Sequence, residues 1–285
     1  MNIGGLPYVL RAIWQEPSNH GQRLHRLLLF SQWQLRKRLG DGPATADLFN
    51  GMRLRVYPDC DTSPSALYYA IPNGTHISFL RRHLNGGTFV DVGANVGLVT
   101  LLVADKVQHA VLFEPNPVAA ERAKENLRLN HLDFQVVAQA LSDRVGNVEL
   151  ENAAGVSSCS RTVDGFSTLL PTITVPRTTF DQFLRESGES LPPVSAVKID
   201  VEGHENSVLR GMTDFLKSRR PRLVMFEYLQ RTDIVETLRI FRDVDYSVFE
   251  LSPAGPQAVT NKVDPLQDLF ACPAERAKDF GIAGL

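Results

Sequence analysis

The sequence has little of what would take the protein out of the ordinary globular class. Cysteine is scarce: three in 285 residues, Cys60, Cys159 and Cys272, far apart and without CxxC or metal-finger spacing. An odd number cannot pair fully within one chain, so neither a disulfide framework nor a zinc site is expected, and reduced thiols in a cytoplasmic protein fit best. No stretch approaches the roughly 18 consecutive apolar residues of a membrane-spanning helix. The segment Met1 to Gln15 lacks a long apolar core and does not read as a secretory signal. Charge of one sign is also missing: 30 Lys and Arg stand against 32 Asp and Glu, a net of −2, which offers nucleic acid no general attraction. What is there, 43% hydrophobic and 22% charged residues, suffices for a packed core without staples.

The chain changes texture near residue 86. Residues 1–85 are expected to form an extension, a lid or an oligomerisation element whose partner would be a second copy. Within it, Leu24, Leu27, Leu28 and Leu35 recur at helical spacing among Arg23, Arg26, Arg36, Lys37 and Arg38. Two readings of this basic run stay open, a solvated surface helix or a helix attached to acidic lipid. Met52 to Tyr57 alternates like a strand, which Pro58 ends.

From residue 86 to 285 short apolar runs alternate with helical stretches, the pattern of βαβ units and a doubly wound parallel α/β sheet. Strands are expected at Thr88–Val92, Ala110–Glu114, Phe134–Leu141, Ala196–Asp200 and Leu223–Glu227, each as apolar as a strand buried on both faces must be. Helices are expected at Val96–Lys106, Pro117–Asn130, Glu205–Lys217 and Asp233–Asp243, with Asn116 capping ahead of a first-turn proline. Asn147–Glu151 and Thr172–Pro176 read as strands around a polar loop, Ala153–Gly165. Tyr246–Leu251 and Gln267–Cys272 read as a terminal antiparallel hairpin.

Two constellations carry chemistry. The first, Phe89 to Gly97 (FVDVGANVG), is an apolar strand ending in a turn of small residues, Gly93, Ala94 and Asn95, where a cofactor can approach the backbone. Glu114 closes the next strand, and a carboxylate there can accept both hydroxyls of a ribose. That acid is shared with nicotinamide sites, but the spacing DxGANxG departs from the phosphate-binding GxGxxG and suits a cofactor without a pyrophosphate. Ala140, Leu141 and Ser142, ending the third strand, lie where an adenine edge would rest. The second, Lys198 to Glu205 (KIDVEGHE), stands at the carboxyl end of the fourth strand, where open α/β sheets bind ligands.

Three blocks in this order, Val90–Gly97 (VDVGANVG), Leu112–Asn116 (LFEPN) and Lys198–Glu205 (KIDVEGHE), with Ala140–Asp143 (ALSD) and Arg177–Phe183 (RTTFDQF) between them, resemble the FkbM-type methyltransferases over roughly Asn50 to Pro273. The resemblance implies a class I, Rossmann-like fold and transfer of a methyl group from S-adenosylmethionine (SAM), usually to oxygen on a sugar or secondary metabolite, leaving S-adenosylhomocysteine. It implies a cofactor site at Asp91, Gly93, Ala94, Asn95, Gly97, Glu114, Pro115, Asn116, Ala140, Leu141, Ser142 and Asp200. The acceptor is expected to be a small molecule or glycan.

An alcohol is a weak nucleophile, so a carboxylate or imidazole should take its proton. Glu202 and His204 are the candidates, with Asp200 orienting the acceptor or the methionine amino group. Asp200, Glu202 and Glu227 also close adjacent strands and could offer hard oxygens to a divalent metal, although no metal is favoured. Two rival readings use the same features: an NAD(P)-dependent oxidoreductase, and a non-catalytic SAM-binding or partner-binding module.

Overall fold

The computed structural model describes residues 6–151, 162, 171–187, 191–260 and 263–282. Cys159 and, apart from Thr162, the loop expected at Ala153–Gly165 lie outside the described residues. Cys60 and Cys272 are free and buried.

The chain begins with helices α1 (Leu6–Gln15) and α2 (Arg23–Leu39), then a two-stranded antiparallel ribbon of β1 (Ala44–Asp47) and β2 (Arg53–Val56). Two helices that the sequence did not announce follow, α3 (Ser65–Tyr68) and α4 (Gly74–His83). The α/β rhythm then sets in with β3 (Thr88–Val92), α5 (Leu98–Val103), β4 (His109–Phe113), α6 (Pro117–Leu129) and β5 (Gln135–Val137). A side layer follows, β6 (Ala140–Leu141), β7 (Gly146–Glu151) and β8 (Thr172–Thr178), with α7 (Phe180–Glu186) after it. The remainder is β9 (Val194–Ile199), α8 (Glu205–Arg210), α9 (Thr213–Arg219), β10 (Leu223–Tyr228), α10 (Ile234–Asp243), β11 (Tyr246–Ser252), β12 (Gly255–Ala258) and β13 (Gln267–Pro273).

The main sheet runs β12-β11-β13-β10-β9-β3-β4-β5. Strands β5, β4, β3, β9 and β10 are parallel, and β13 inserts antiparallel between β10 and β11. The chain winds outward from β3 through β4 to β5, then crosses back to β9 beside β3. That reversal is the switch point where a crevice opens at the strands' carboxyl ends.

Strand alternation sorts the core into two layers. Phe89, Leu112, Ala196 and Met225 pack one face together with Trp33, Leu54, Ile77 and Leu80 of the first 85 residues. Val90, Val111, Val197 and Phe226 pack the other with Leu209, Phe215 and Phe241. The segment before residue 86 therefore shares the sheet's core.

Three expected elements come out differently. The strand read at Phe134–Leu141 divides into β5 and β6, which belong to different sheets. The helix read at Glu205–Lys217 breaks at Gly211 and Met212 into α8 and α9, and Gly211 lies so close to the Ser142 carbonyl oxygen that a Cβ there would collide with it. The terminal strands do pair antiparallel, but β12 intervenes between them in sequence and their pair is built into the sheet rather than hung on its edge.

Candidate active site

A cleft of about 930 Å³, counting space open to solvent, lies at the carboxyl ends of β3, β4, β9 and β10. Its near end is a turn that only small residues can make. Gly93 has φ +74°, and a Cβ there would collide with the Asp200 carbonyl oxygen on the neighbouring strand. The turn continues through Asn95, itself left-handed at φ 51°. Glu114 reaches back to it: the Asn95 backbone N–H donates to Oε2 at 2.7 Å and the Asn116 N–H to Oε1 at 2.8 Å. Glu114 is 6% exposed, and burial pushes its carboxyl up to about 7 despite these two donors.

Behind the turn, period-two alternation sends Asp91 and Lys198, paired across β3 and β9, to the same side of the sheet. Lys198 Nζ donates to the Gly93 carbonyl at 2.9 Å and stands 3.4 Å from Asp91 and 3.2 Å from Asp200. Burial pulls the ammonium down, but Asp200 and Asp91 outweigh it and hold its pKa above the ordinary value. Asp91 is fully buried, and its Oδ2 accepts from Thr100 Oγ1 at 2.7 Å. The acid and base of this corner thus brace the turn from beneath.

The far end is acidic. Asp200, Glu202 and Glu227 each turn a carboxylate oxygen toward the others, all within 4.8 Å. Glu202, at φ 56°, is tied to Arg231, whose Nη2 donates to Oε2 at 2.9 Å and whose Nε donates to the Glu202 carbonyl at 2.8 Å. Burial and the Asp200 charge raise the Glu202 carboxyl, with Arg231 opposing. Glu227 differs from both: its Oε2 is buried with no hydrogen-bond partner among the described residues, and burial followed by the Asp200 and Glu202 charges lifts it to about 8. His204 Nε2 lies 3.0 Å from Ser142 Oγ, at the edge between the two ends. Glu205, behind them, accepts from the Val201 and Gly203 amides and from Thr232, which fixes the loop.

Of the residues expected at the cofactor site, Gly93, Ala94, Asn95, Glu114, Pro115, Ala140, Leu141 and Asp200 line this cleft, as do Glu202, His204 and Glu227. Four do not. Asp91 lies beneath the turn on Lys198, and Gly97 stands at the start of α5. Asn116 caps α6, accepting from the Val118 and Ala119 amides at 3.0 and 3.3 Å. Ser142 is 1% exposed and meets the cleft through His204. Tyr228 is buried in the core, and Tyr68 packs edge-on against Phe30 of α2. Sequence reasoning passed over Thr62, Leu98, Val99 and Gln139, which also line the cleft, and Arg231, which holds Glu202. Gln139 follows β5 in the stretch read as one continuous strand.

The strand order and the cleft at its reversal define a class I, Rossmann-like methyltransferase fold. Residues 91–248, more than half of the chain, match the Methyltransferase FkbM domain, and the chain belongs to that family. A curated relative, the hexuronic acid methyltransferase AglP of Haloferax volcanii, is 32% identical over 128 residues, 45% of this chain. Those residues are 51% of the relative, so the match spans about half its length. Among solved structures, the FkbM methyltransferase of Methylobacillus flagellatus KT is similar at 13% identity and TM-score 0.45, covering 73% of this chain and 54% of that one. A SAM-dependent methyltransferase of Agrobacterium tumefaciens is similar at 12% identity and TM-score 0.47, covering 82% and 70%. Nothing in these comparisons supports the oxidoreductase reading.

Proposed function

We propose that the protein transfers a methyl group from SAM to a hydroxyl oxygen of a sugar, with a hexuronic acid the first acceptor to try. The observation that carries this reading is the cleft that joins the Gly93–Asn95 turn and Glu114 to a cluster of carboxylates. The donor set fits the cofactor: Glu114 is an acceptor for ribose hydroxyls, the turn leaves backbone open beside it, and the acidic end suits a sulfonium cation and its amino group. SAM supplies an activated methyl that leaves its sulfur as a neutral thioether.

The chain's own part is to orient the acceptor and remove its proton as the new O–C bond forms. Glu227 is best placed to do so, because its Oε2 carries no competing partner and its raised pKa lies near neutral pH, where a general base works best. Asp200 and Glu202 already have cations, Lys198 and Arg231, at 3.2 and 2.9 Å, so their role is to position rather than to accept. That compensation favours proton handling over a metal at the cluster. His204, bonded to Ser142, stands where it can relay a proton outward. Arg231 supplies a partly exposed cation that a uronic acid carboxylate could meet.

The test has two stages. Calorimetry should detect SAM and S-adenosylhomocysteine binding, and S-adenosylhomocysteine should then be released against neutral glycosides, uronic acids or hydroxylated metabolites, with EDTA leaving the rate unchanged. Absence of heat with either ligand overturns the reading.

A further inference from the structure

The acid–base balance of the whole chain conceals a separation. Residues 6–40 hold six arginines and lysines against one acid, Glu16, a net of +5 in a chain whose total is −2. Among the described residues no ion pair involves any of these six. The same stretch is where large apolar side chains face water: Leu24, Leu28, Leu35 and Leu39 are 76, 54, 58 and 67% exposed, and Trp14 is 47% exposed.

The geometry of α2 makes this a surface rather than a scatter. Its inner side is Phe30 and Trp33, both buried. At 3.6 residues per turn the four exposed leucines fall within an arc of about 60° on the opposite side. A helix with apolar stripes on both sides packs the protein with one and leaves the other uncovered. Arg38 flanks the outer stripe, and Arg23 stands over the exposed Trp14 ring, 5.4 Å from its centroid, where α1 meets α2.

We propose that the α1–α2 surface docks the protein on an anionic lipid bilayer, the leucine stripe and Trp14 entering the interfacial layer and the basic side chains meeting acidic headgroups. Charge complementarity selects this occupant. A second copy laid on the same face would bring together two segments that each carry a net charge of +5, whereas acidic headgroups neutralise it. No helix among the described residues is long and apolar enough to cross a membrane, so the contact is with the membrane surface.

The full chain is sedimented with phosphatidylcholine vesicles carrying phosphatidylglycerol, and with phosphatidylcholine alone. It should bind the acidic vesicles, release at high salt and stay in solution with neutral ones. Replacing Arg11, Lys37 and Arg38 by Gln should weaken partitioning about a hundredfold. Replacing Leu24, Leu28 and Leu35 by Gln should weaken it at least about tenfold. Both triple variants should keep the parent's melting temperature and SAM affinity, because none of these side chains lies in the core or the cleft. A parent that stays in solution with acidic vesicles, variants that bind as the parent does, or a leucine variant that instead turns a dimer into a monomer would each overturn the proposal.

Discussion

At the turn end of the cleft, Glu114 is positioned by two backbone amides, and Gly93 is locked by a neighbouring carbonyl. At the acidic end, Glu202 is positioned by an arginine from a distant loop, and the buried Oε2 of Glu227 is held by nothing among the described residues. The difference is one of material. Backbone donors in the turn and at the cap of α6 cannot reorient without unmaking those structures, which suits the invariant part of a ligand. Side chains can re-pair as charge appears, which suits the end where a proton must move. Lys198 ties the two ends together, touching Asp91 and Gly93 on one side and Asp200 on the other.

The largest effect should come from cutting that tie. Lys198→Met leaves the fully buried Asp91 without its cation and is expected to cost about 3–5 kcal/mol in urea unfolding; adding Asp91→Asn should recover part of the loss. A Lys198→Met cost under about 1 kcal/mol would mean that the two ends are independent.

Next comes the acidic end alone. Glu227→Gln should lower kcat about 10²–10⁴-fold with SAM affinity nearly intact. Because the base must be ionised, kcat/KM for SAM should rise with pH through about 8 in the parent, and this limb should vanish in the variant. A sulfonium nearby favours the carboxylate, so the limb in kcat should lie at lower pH than that in kcat/KM. An unchanged profile in Glu227→Gln would hand the role to His204 or Glu202.

At the turn end, Glu114→Gln should weaken SAM about 10–100-fold, the worth of hydrogen bonds to a charged acceptor. Glu114 accepts best when ionised, and its pKa stands above the usual carboxylate value, so parent affinity should improve as pH rises through about 7 and stay flat in the variant. The smallest effect separates cap from ligand: Asn116→Ala should cost about 1 kcal/mol of stability and leave SAM affinity unchanged. A large loss of affinity there would return Asn116 to the cofactor site.

The same contrast explains what could be read from the residues alone. The strands that carry the site, such as Thr88–Val92 and Leu223–Tyr228, are short apolar runs between turn signals and stand close to where they were expected. The turn at Gly93 and the acid at Glu114 were legible because backbone chemistry leaves a local pattern. Arg231 was not, since a lone arginine 29 residues from Glu202 carries no spacing that betrays the pair. The pairing of Asp91 with Lys198 beneath the turn was not legible for a related reason: the strand pattern puts Asp91 at the right level but does not tell which side of the sheet holds its partner. The need for glycine at 211 comes from the Ser142 carbonyl, a neighbour brought near only by the fold.

One arrangement in the sheet bears on how the protein comes to be made. Strand β13 sits between β10 and β11, yet it is synthesised after both. Until the ribosome has passed residue 273, β10 and β11 each present an unsatisfied backbone edge, and Glu227 on β10 has no Asp268 opposite it. The nascent chain can close the β5–β10 portion, cleft carboxylates included, early, but the antiparallel half of the sheet is completed last. Slow translation or truncation within residues 229–273 should therefore yield a species prone to edge-to-edge association, and added chaperone should raise the soluble yield.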